Sequence, residues 1–351
     1  MNALTRIQEQ VRDAASKSEA LRIVGGDSKQ GLGREPVGSP VDTSDFAGVI
    51  EYQPTELMIT VRAGTTVSHL QDVLAENKQV LASESPMYDG RATIGGALAC
   101  NQSGPSRPWY GSIRDHVLGI RLINGKAEHL RFGGQVMKNV AGYDVSRLQA
   151  GAMGTFGILT EVSLKVLPQP EASLTVCQEL DADRAIRVMN DIGMRPTPLS
   201  AACWYGGTLF LRLSGPGPVI EASAATLGGE RVEDAAETWL GLREQALPFF
   251  EAARSLWRFS VRPNSPHFVP EADWLIDWGG AQRWMAGRYD RDELEGIAAR
   301  HGGEVSQMRG GDRKSEVLPS LAGIKRELLI NLKQAFDPAG VLNPGRLYSW
   351  L

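Results

Sequence analysis

The stretch from Pro86 to Pro168 places the tightest constraint on what this 351-residue chain can fold into. Glycine crowds both of its ends, PMYDGRATIGGALACNQSGPSRPWYGSIRDHVLG at the start and KNVAGYDVSRLQAGAMGTFGILTEVSLKVLP at the close. Between them runs a plain hairpin pattern: VLGIRLI, then Asn124-Gly125, then KAEHLRF. Asn-Gly between two alternating apolar runs predicts a two-residue turn, so an ordered sheet brings the glycine-rich ends together. Gly95-Gly96 follows Thr93-Ile94 and leads into Ala97-Leu98-Ala99, which reads as the first turn of a helix. Bare glycine backbone at a helix start exposes unpaired N–H groups to an anion. Asn101, Ser103 and Gly104 add side-chain donors and another point of close approach. Earlier in the chain the short strand Leu21-Arg22-Ile23-Val24 runs into Gly25-Gly26-Asp27-Ser28-Lys29, whose amides can wrap a phosphate. A simple turn is the alternative there, and the second glycine pair at 95–96 favours two loops gripping one diphosphate.

The motifs Thr93-Ile94-Gly95-Gly96, Asn101-x-Ser103-Gly104, Gly111-x-x-x-Asp115-His116-Val117, Gly142-Tyr143-Asp144 and Gly154-Thr155-x-Gly157-Ile158-Leu159-Thr160 follow in one order. Phe336-Asp337-Pro338-Ala339-Gly340-Val341-Leu342-Asn343-Pro344-Gly345 closes the chain. Together they resemble the FAD-binding domain of the vanillyl-alcohol-oxidase/p-cresol-methylhydroxylase superfamily, and within it the E-type FAD-binding subunits of glycolate oxidase. The resemblance implies an α+β protein: a two-subdomain FAD-binding domain of the p-cresol-methylhydroxylase (PCMH) type plus an α+β cap domain. It implies a first pyrophosphate loop at Gly25, Gly26, Asp27, Ser28 and Lys29. Further cofactor contacts are implied at Pro86, Thr93, Ile94, Gly95, Gly96, Asn101, Ser103, Gly104 and Gly111. The same holds for Arg114, Asp115, Lys138, Tyr143, Gly154, Thr155, Gly157, Ile158 and Asn343. Arg114 and Asp115 could equally pair at the surface, and the segment 138–144 could be a polar loop with Asp144 capping the next helix. A lysine such as Lys138 beside a flavin ring stabilises negative charge on it. Relatives with covalent flavin often carry a histidine near the first loop or a cysteine elsewhere; this loop has neither, so non-covalent FAD is expected.

The implied activity is oxidation of a small 2-hydroxy acid, with hydride passing to flavin and electrons leaving to an iron–sulfur subunit. A second flavin subunit and that iron–sulfur subunit are the implied partners in a glycolate oxidase complex. A stand-alone FAD-dependent hydroxy-acid or alcohol oxidase and a non-catalytic FAD-binding scaffold are the alternatives. The His-rich segment of the related D-type subunits is absent, and no histidine is an obvious base. Arginine binds a carboxylate bidentately, which makes Arg258 and Arg346 the candidate catalytic clamps; structural ion pairing is the alternative for each.

Composition removes other classes. Apolar residues make up 42% and charged residues 22%, with a net charge of -4, so nothing favours nucleic acid or an anionic membrane. Cys100, Cys177 and Cys203 form no CxxC pair, which suits a reducing compartment and leaves no metal or iron–sulfur site of the chain's own. The N-terminus reads as an amphipathic helix with Leu4, Ile7 and Val11 on one stripe, without the apolar core of a signal peptide. No apolar run is long enough to span a bilayer, so a cytoplasmic protein, peripheral at the inner membrane only through partner subunits, is expected. Walker A, G-x-G-x-x-G, HExxH and G-x-S-x-G patterns are all missing.

Pro168-Gln169-Pro170 marks a boundary between residues 1–169, the FAD-binding domain, and 170–320, the cap. Strand pairs interleaved with helices in the latter suggest a doubled split-βαβ unit. A last helix from Leu321 to Phe336 returns the chain, in residues 321–351, to the first domain.

Overall fold

The computed structural model describes residues 2–134 and 144–351. Lys138 and Tyr143 therefore lie outside the described residues. The chain divides into two compact units, the first comprising Met1–Gln102, Ser112–Pro168 and Asp312–Leu351, the second Ser103–Gly111 and Gln169–Gly311.

The first unit is built on a five-stranded antiparallel sheet. Its order is Val49–Gln53, Met58–Arg62, Ile158–Lys165, Val117–Ile123 and His129–Gly133. Helix Val67–Ala75, capped by Thr66, and helix Ile94–Cys100, capped by Thr93, pack on it. Val67, Leu70 and Leu74 recur at helical spacing and share a buried cluster with Ile94, Ala97 and Leu98 and with strand residues Ile59, Val61, Val162 and Leu164. A parallel pair, Leu21–Val24 with Ser39–Asp42, is widened by the chain's C-terminal segment, where Leu21 bridges to Leu342. Helix Ala3–Lys17 buries Ile7, Val11 and Ala14 against Leu21, Val41, Ile158 and Leu342, the stripe that the sequence pattern predicts.

The hairpin tip differs from its sequence signal. Ile123 pairs with His129, so five residues rather than two make the connection. Asn124 takes the amide of Glu128 into its carbonyl-side turn through its Oδ1, and Ala127 adopts the left-handed conformation, φ 59°. Gly125 is needed for another reason: a Cβ there would lie 2.1 Å from Asp337 Oδ1. The tip docks on the closing motif, with the Gly125 amide donating to the Phe336 carbonyl at 2.9 Å.

Beneath that tip, helix Ile324–Phe336 ends in a buried ion pair. Lys333 Nζ donates to Asp337 Oδ2 at 2.7 Å, to the Leu342 carbonyl at 2.7 Å and to the Thr155 carbonyl at 3.0 Å. The same Asp337 oxygen accepts the Leu342 amide at 2.7 Å. Burial draws the Lys333 pKa down, and the Asp337 carboxylate opposes that pull.

The second unit carries one eight-stranded antiparallel sheet in the order Glu230–Arg231, Ala172–Glu179, Thr208–Gly215, Leu199–Tyr205, Asp273–Asp277, Gln282–Ala286, Leu256–Ser260, Glu304–Arg309. Each half reads fourth, first, third, second strand of a split βαβ unit, and the halves join through Leu199–Tyr205 and Asp273–Asp277. The doubled unit expected from the alternation of elements is therefore present, with one asymmetry. The first half has its two helices, Ala182–Gly193 and Gly217–Leu227, while the second half keeps only Arg291–Arg300 between its last two strands. Two helices of the opposite face, Ala235–Glu244 and Pro248–Ala252, and strand Gln282–Ala286 had no clear sequence signal.

Asp337→Asn removes the one carboxylate that pairs with the buried Lys333 ammonium among the described residues. It is expected to lower stability by about 3–5 kcal/mol, measured by urea denaturation. Lys333→Met with Asp337→Asn together should recover part of that loss.

Candidate cofactor cleft

Strand Leu21–Val24 delivers the loop Gly25–Lys29 against the start of helix Ile94–Cys100. The fit is close: a Cβ on Gly26 would sit 1.5 Å from the Arg91 carbonyl oxygen, and one on Gly25 would sit 2.7 Å from Thr93 Oγ1. The two glycine-rich loops are thus seated on one another, and both line a single cleft.

The loops do not contribute in the way their sequences suggest. A free helix start is predicted at Ile94–Gly96, yet each amide there has an acceptor within the protein. Ile94 donates to the Thr65 carbonyl and Gly95 to the Ala63 carbonyl, both at 2.8 Å, and Gly96 donates to Thr93 Oγ1 at 3.2 Å. Gly95 is required for packing, since a Cβ would come within 2.8 Å of the Ala63 Cβ. The open donors lie in the first loop instead. The amides of Gly25, Gly26, Asp27 and Ser28 have no acceptor among the described residues. Asp27 sits in the left-handed region, φ 53°, so the loop curls and its successive N–H groups form a concave surface that suits an anion.

Charge follows the same logic. Arg22, Lys29 and Arg346 line the cleft against one carboxylate, Asp27, which Arg22 faces at 3.6 Å. Lys29 Nζ lies 3.3 Å from Ser28 Oγ and 5.2 Å from the centre of the Tyr88 ring. Arg346 is buried, and burial pulls its pKa down. Its guanidinium donates to the carbonyls of Arg34, Lys29 and Gln30, the last two at 3.2 and 3.1 Å. Both terminal nitrogens thereby bond loop backbone, so Arg346, expected from sequence as a substrate carboxylate clamp, holds the first loop in place. Arg258 stands on strand Leu256–Ser260, paired in register with Trp284 and Ser306, and does not line this cleft.

The floor is tied together by Asn343, itself in the left-handed conformation at φ 42°. Its Oδ1 accepts the Ile23 amide at 2.8 Å and its Nδ2 donates to the Met153 carbonyl at 2.6 Å. Gly154, at φ 75°, leaves no room for a side chain beside it: a Cβ would lie 2.8 Å from Asn343 Nδ2.

Of the residues named from sequence, Gly25, Gly26, Asp27, Ser28, Lys29, Thr93, Gly95, Gly96, Gly154, Gly157 and Asn343 line the cleft. Pro86, Ile94, Asn101, Thr155 and Ile158 do not. Ile94 and Ile158 are fully buried core residues, and Asn101 caps its helix in the left-handed conformation. Asp115 closes a capping box, its Oδ2 accepting the Ser112 amide and hydroxyl at 2.8 and 2.7 Å; Arg114 is exposed. Asp144 caps the following helix through the Arg147 amide at 3.0 Å. Ser103, Gly104 and Gly111 belong to the second unit, where the Gly104 carbonyl accepts Trp278 Nε1 at 3.0 Å. Arg22, Cys100, Gln149 and Met153 were missed. Cys100 could have been found, because it follows Gly96 by one helical turn and so shares its face. Burial pushes its thiol pKa up, against the pull of Lys29 and Arg346.

A curled loop of open amides, backed by cations in one cleft, suits an anionic ligand. Residues 4–133 match the family model described as an FAD binding domain. The chain is 43% identical over 98% of its length to the glycolate oxidase subunit GlcE of Escherichia coli (strain K12), covering 97% of that protein. It is 25% identical over 86% of its length to the glycolate oxidase subunit GlcD of Bacillus subtilis (strain 168), covering 77% of it. Among solved structures, alkyldihydroxyacetonephosphate synthase superposes with a TM-score of 0.67 at 16% identity, over 97% of this chain and 75% of that one. The fold and the family thus define an FAD-dependent oxidoreductase of the PCMH type. The chain belongs to the GlcE family of glycolate oxidase subunits.

Asn343→Ala leaves the part-buried Ile23 amide and Met153 carbonyl without that partner. It should cost about 2–3 kcal/mol, read as a shift in denaturation midpoint at constant slope.

Proposed function

We propose that this chain is the FAD-binding subunit of a complex that oxidises glycolate or a similar small 2-hydroxy acid, and that it works with a second flavin subunit and an iron–sulfur subunit. The observation that carries the reading is the curled Gly25–Ser28 loop, whose open amides stand among Arg22, Lys29 and Arg346. Identity of 43% to a glycolate oxidase subunit along nearly the whole chain supports it. FAD bound in this cleft would supply a two-electron acceptor for hydride from the substrate, with onward transfer to the iron–sulfur partner.

The chain's residues do the binding and the positioning. The amides of Gly25–Ser28 hydrogen-bond the diphosphate, and the excess of cations over carboxylate on the lining offsets its charge. Arg346 keeps the loop curled by holding the carbonyls of Lys29 and Gln30. Ala63, Ala99, Met153 and Leu159 give the cleft its apolar wall and exclude water. The cofactor is held without a covalent bond. Cys100 is the cysteine on the lining, and burial keeps it as a thiol, which is a poor nucleophile. No helix among the described residues is long and apolar enough to cross a membrane, and the protein works in the cytoplasm or at the inner membrane through its partners.

One observation favours a second reading, in which the flavin of this subunit relays electrons and the substrate meets the other flavin subunit. The lining contains no histidine, its single carboxylate is Asp27, and Arg346 is committed to backbone. Among the described residues of the cleft, the one carboxylate faces Arg22, and Arg346 is bonded to backbone.

The purified chain should be yellow, and acid precipitation should release its FAD into the supernatant. A protein that stays colourless after incubation with FAD would sink the proposal. Anaerobic glycolate should bleach the flavin of the copurified complex. Bleaching of the isolated chain would instead mark a stand-alone oxidase, and an unresponsive flavin there would favour the relay. Gly26→Ala drives a methyl group into the Arg91 carbonyl and parts the two loops. A strain of this kind costs about 1–3 kcal/mol, so FAD affinity should fall by roughly tenfold or more, measured by flavin fluorescence titration.

A further inference from the structure

Gln149 follows the one-turn helix Val145–Leu148 and is 1% exposed. Its side-chain Nε2 is buried, has no hydrogen-bond partner among the described residues, and belongs to a residue that lines the cofactor cleft. Such a donor is costly to leave unmet, and native interiors rarely do so without a reason. Gln149 is not needed to hold its own segment through that amide. Backbone bonds do this: Ala152 donates to the Gln149 carbonyl at 3.2 Å, Gly151 to the Leu98 carbonyl at 3.1 Å and Met153 to the Ala99 carbonyl at 2.8 Å.

Those bonds also place the segment that carries Gln149. They fasten the segment 149–153 to the C-terminal end of helix Ile94–Cys100, whereas the Gly25–Gly26 loop is seated on Thr93 at the other end. Seven residues at 1.5 Å each separate the two ends by about 10 Å. A diphosphate held by the loop cannot span that distance, but a heterocycle carried on the sugar or ribityl arm beyond it can.

We infer that Gln149 Nε2 is a hydrogen-bond donor to an acceptor atom, a ring nitrogen or ring carbonyl, of one heterocycle of the bound dinucleotide. This inference rests on the assignment of FAD to the cleft and adds to it a specific recognition residue. In the free protein the amide is a preformed but unmet donor, and binding satisfies it. The two ends of FAD share this chemistry, and the test separates them.

The experiment uses the full chain, stripped of FAD and reconstituted, as wild type, Gln149→Met and Gln149→Glu. Met keeps the length of the side chain and removes the donor, while Glu keeps the shape and replaces the donor with an acceptor. The FAD-free Gln149→Met protein should melt at or above the wild-type temperature, because a buried unmet amide has been removed. Its affinity for FAD should nonetheless fall by about five- to tenfold, and Gln149→Glu should bind more weakly still. If the acceptor is on the flavin, the long-wavelength flavin band of reconstituted Gln149→Met is displaced from that of wild type. If it is on the adenine, the band stays in place and ADP competes with FAD less well for the variant than for wild type. Equal FAD affinity of wild type and Gln149→Met would overturn the inference while leaving FAD in the cleft. A marked drop in the FAD-free melting temperature of Gln149→Met would overturn it too, since that is the mark of a structural amide. Wild type that takes up no FAD would bring down the cleft assignment and this inference with it.

Discussion

The Asn343 side chain is the contact on which the cofactor cleft depends. One amide group accepts from Ile23, at the strand that feeds the first loop, and donates to Met153, at the turn that forms the opposite floor. Its backbone adds a further bond, from the Asn343 amide to the Leu21 carbonyl at 2.9 Å. Three separate parts of the chain therefore meet at one residue near the C-terminus. A side-chain amide suits this place because it offers an acceptor and a donor in fixed geometry. Asparagine also tolerates the left-handed backbone that the turn imposes.

Around that clamp, buried polar groups do much of the positioning. Arg346 holds the carbonyls of the first loop, and Lys333 with Asp337 anchors the last helix beneath the hairpin tip. Each places a charge where water is excluded, and each is matched by carbonyls or a carboxylate, as a buried charge must be. Rigidity is the consequence. The curled loop keeps four open amides because neighbouring bonds hold it still, and an anion that binds there meets donors already arranged. The open amides thus stand in a short loop, stiffened from behind by Arg346, more than three hundred positions away.

The comparison between expectation and structure is sharpest at the glycines. Gly25, Gly26, Gly95 and Gly96 all line the cleft, as their pattern led one to expect. The physical reasons differ from place to place, however. Gly26 and Gly95 are glycine because another backbone or a methyl group lies too close for a Cβ. Gly96, whose amide is bonded to Thr93, offers no free donor. Gly125 reads as a turn glycine but is a contact glycine against Asp337. A glycine in sequence says that space or a torsion is needed; it does not say which, because the neighbour that takes the space is absent from the local pattern.

What the sequence determined alone is what short-range chemistry dictates. Apolar spacing marked the helix buried through Ile7 and Val11 and the one buried through Leu70 and Leu74, alternation marked the sheets, and Asp144 was legible as a cap. The ordered glycine motifs were enough to show the FAD-binding resemblance. Only the tertiary structure decided which donors stay open, that Arg346 bonds the backbone of the first loop, and that the Gln149 amide stays unmet in a residue lining the cleft. The commitment of Arg346 is fixed by partners far along the chain, the Lys29 carbonyl at a separation of 317 residues among them. A hydrogen bond is chosen by proximity in space, and local sequence carries no record of it.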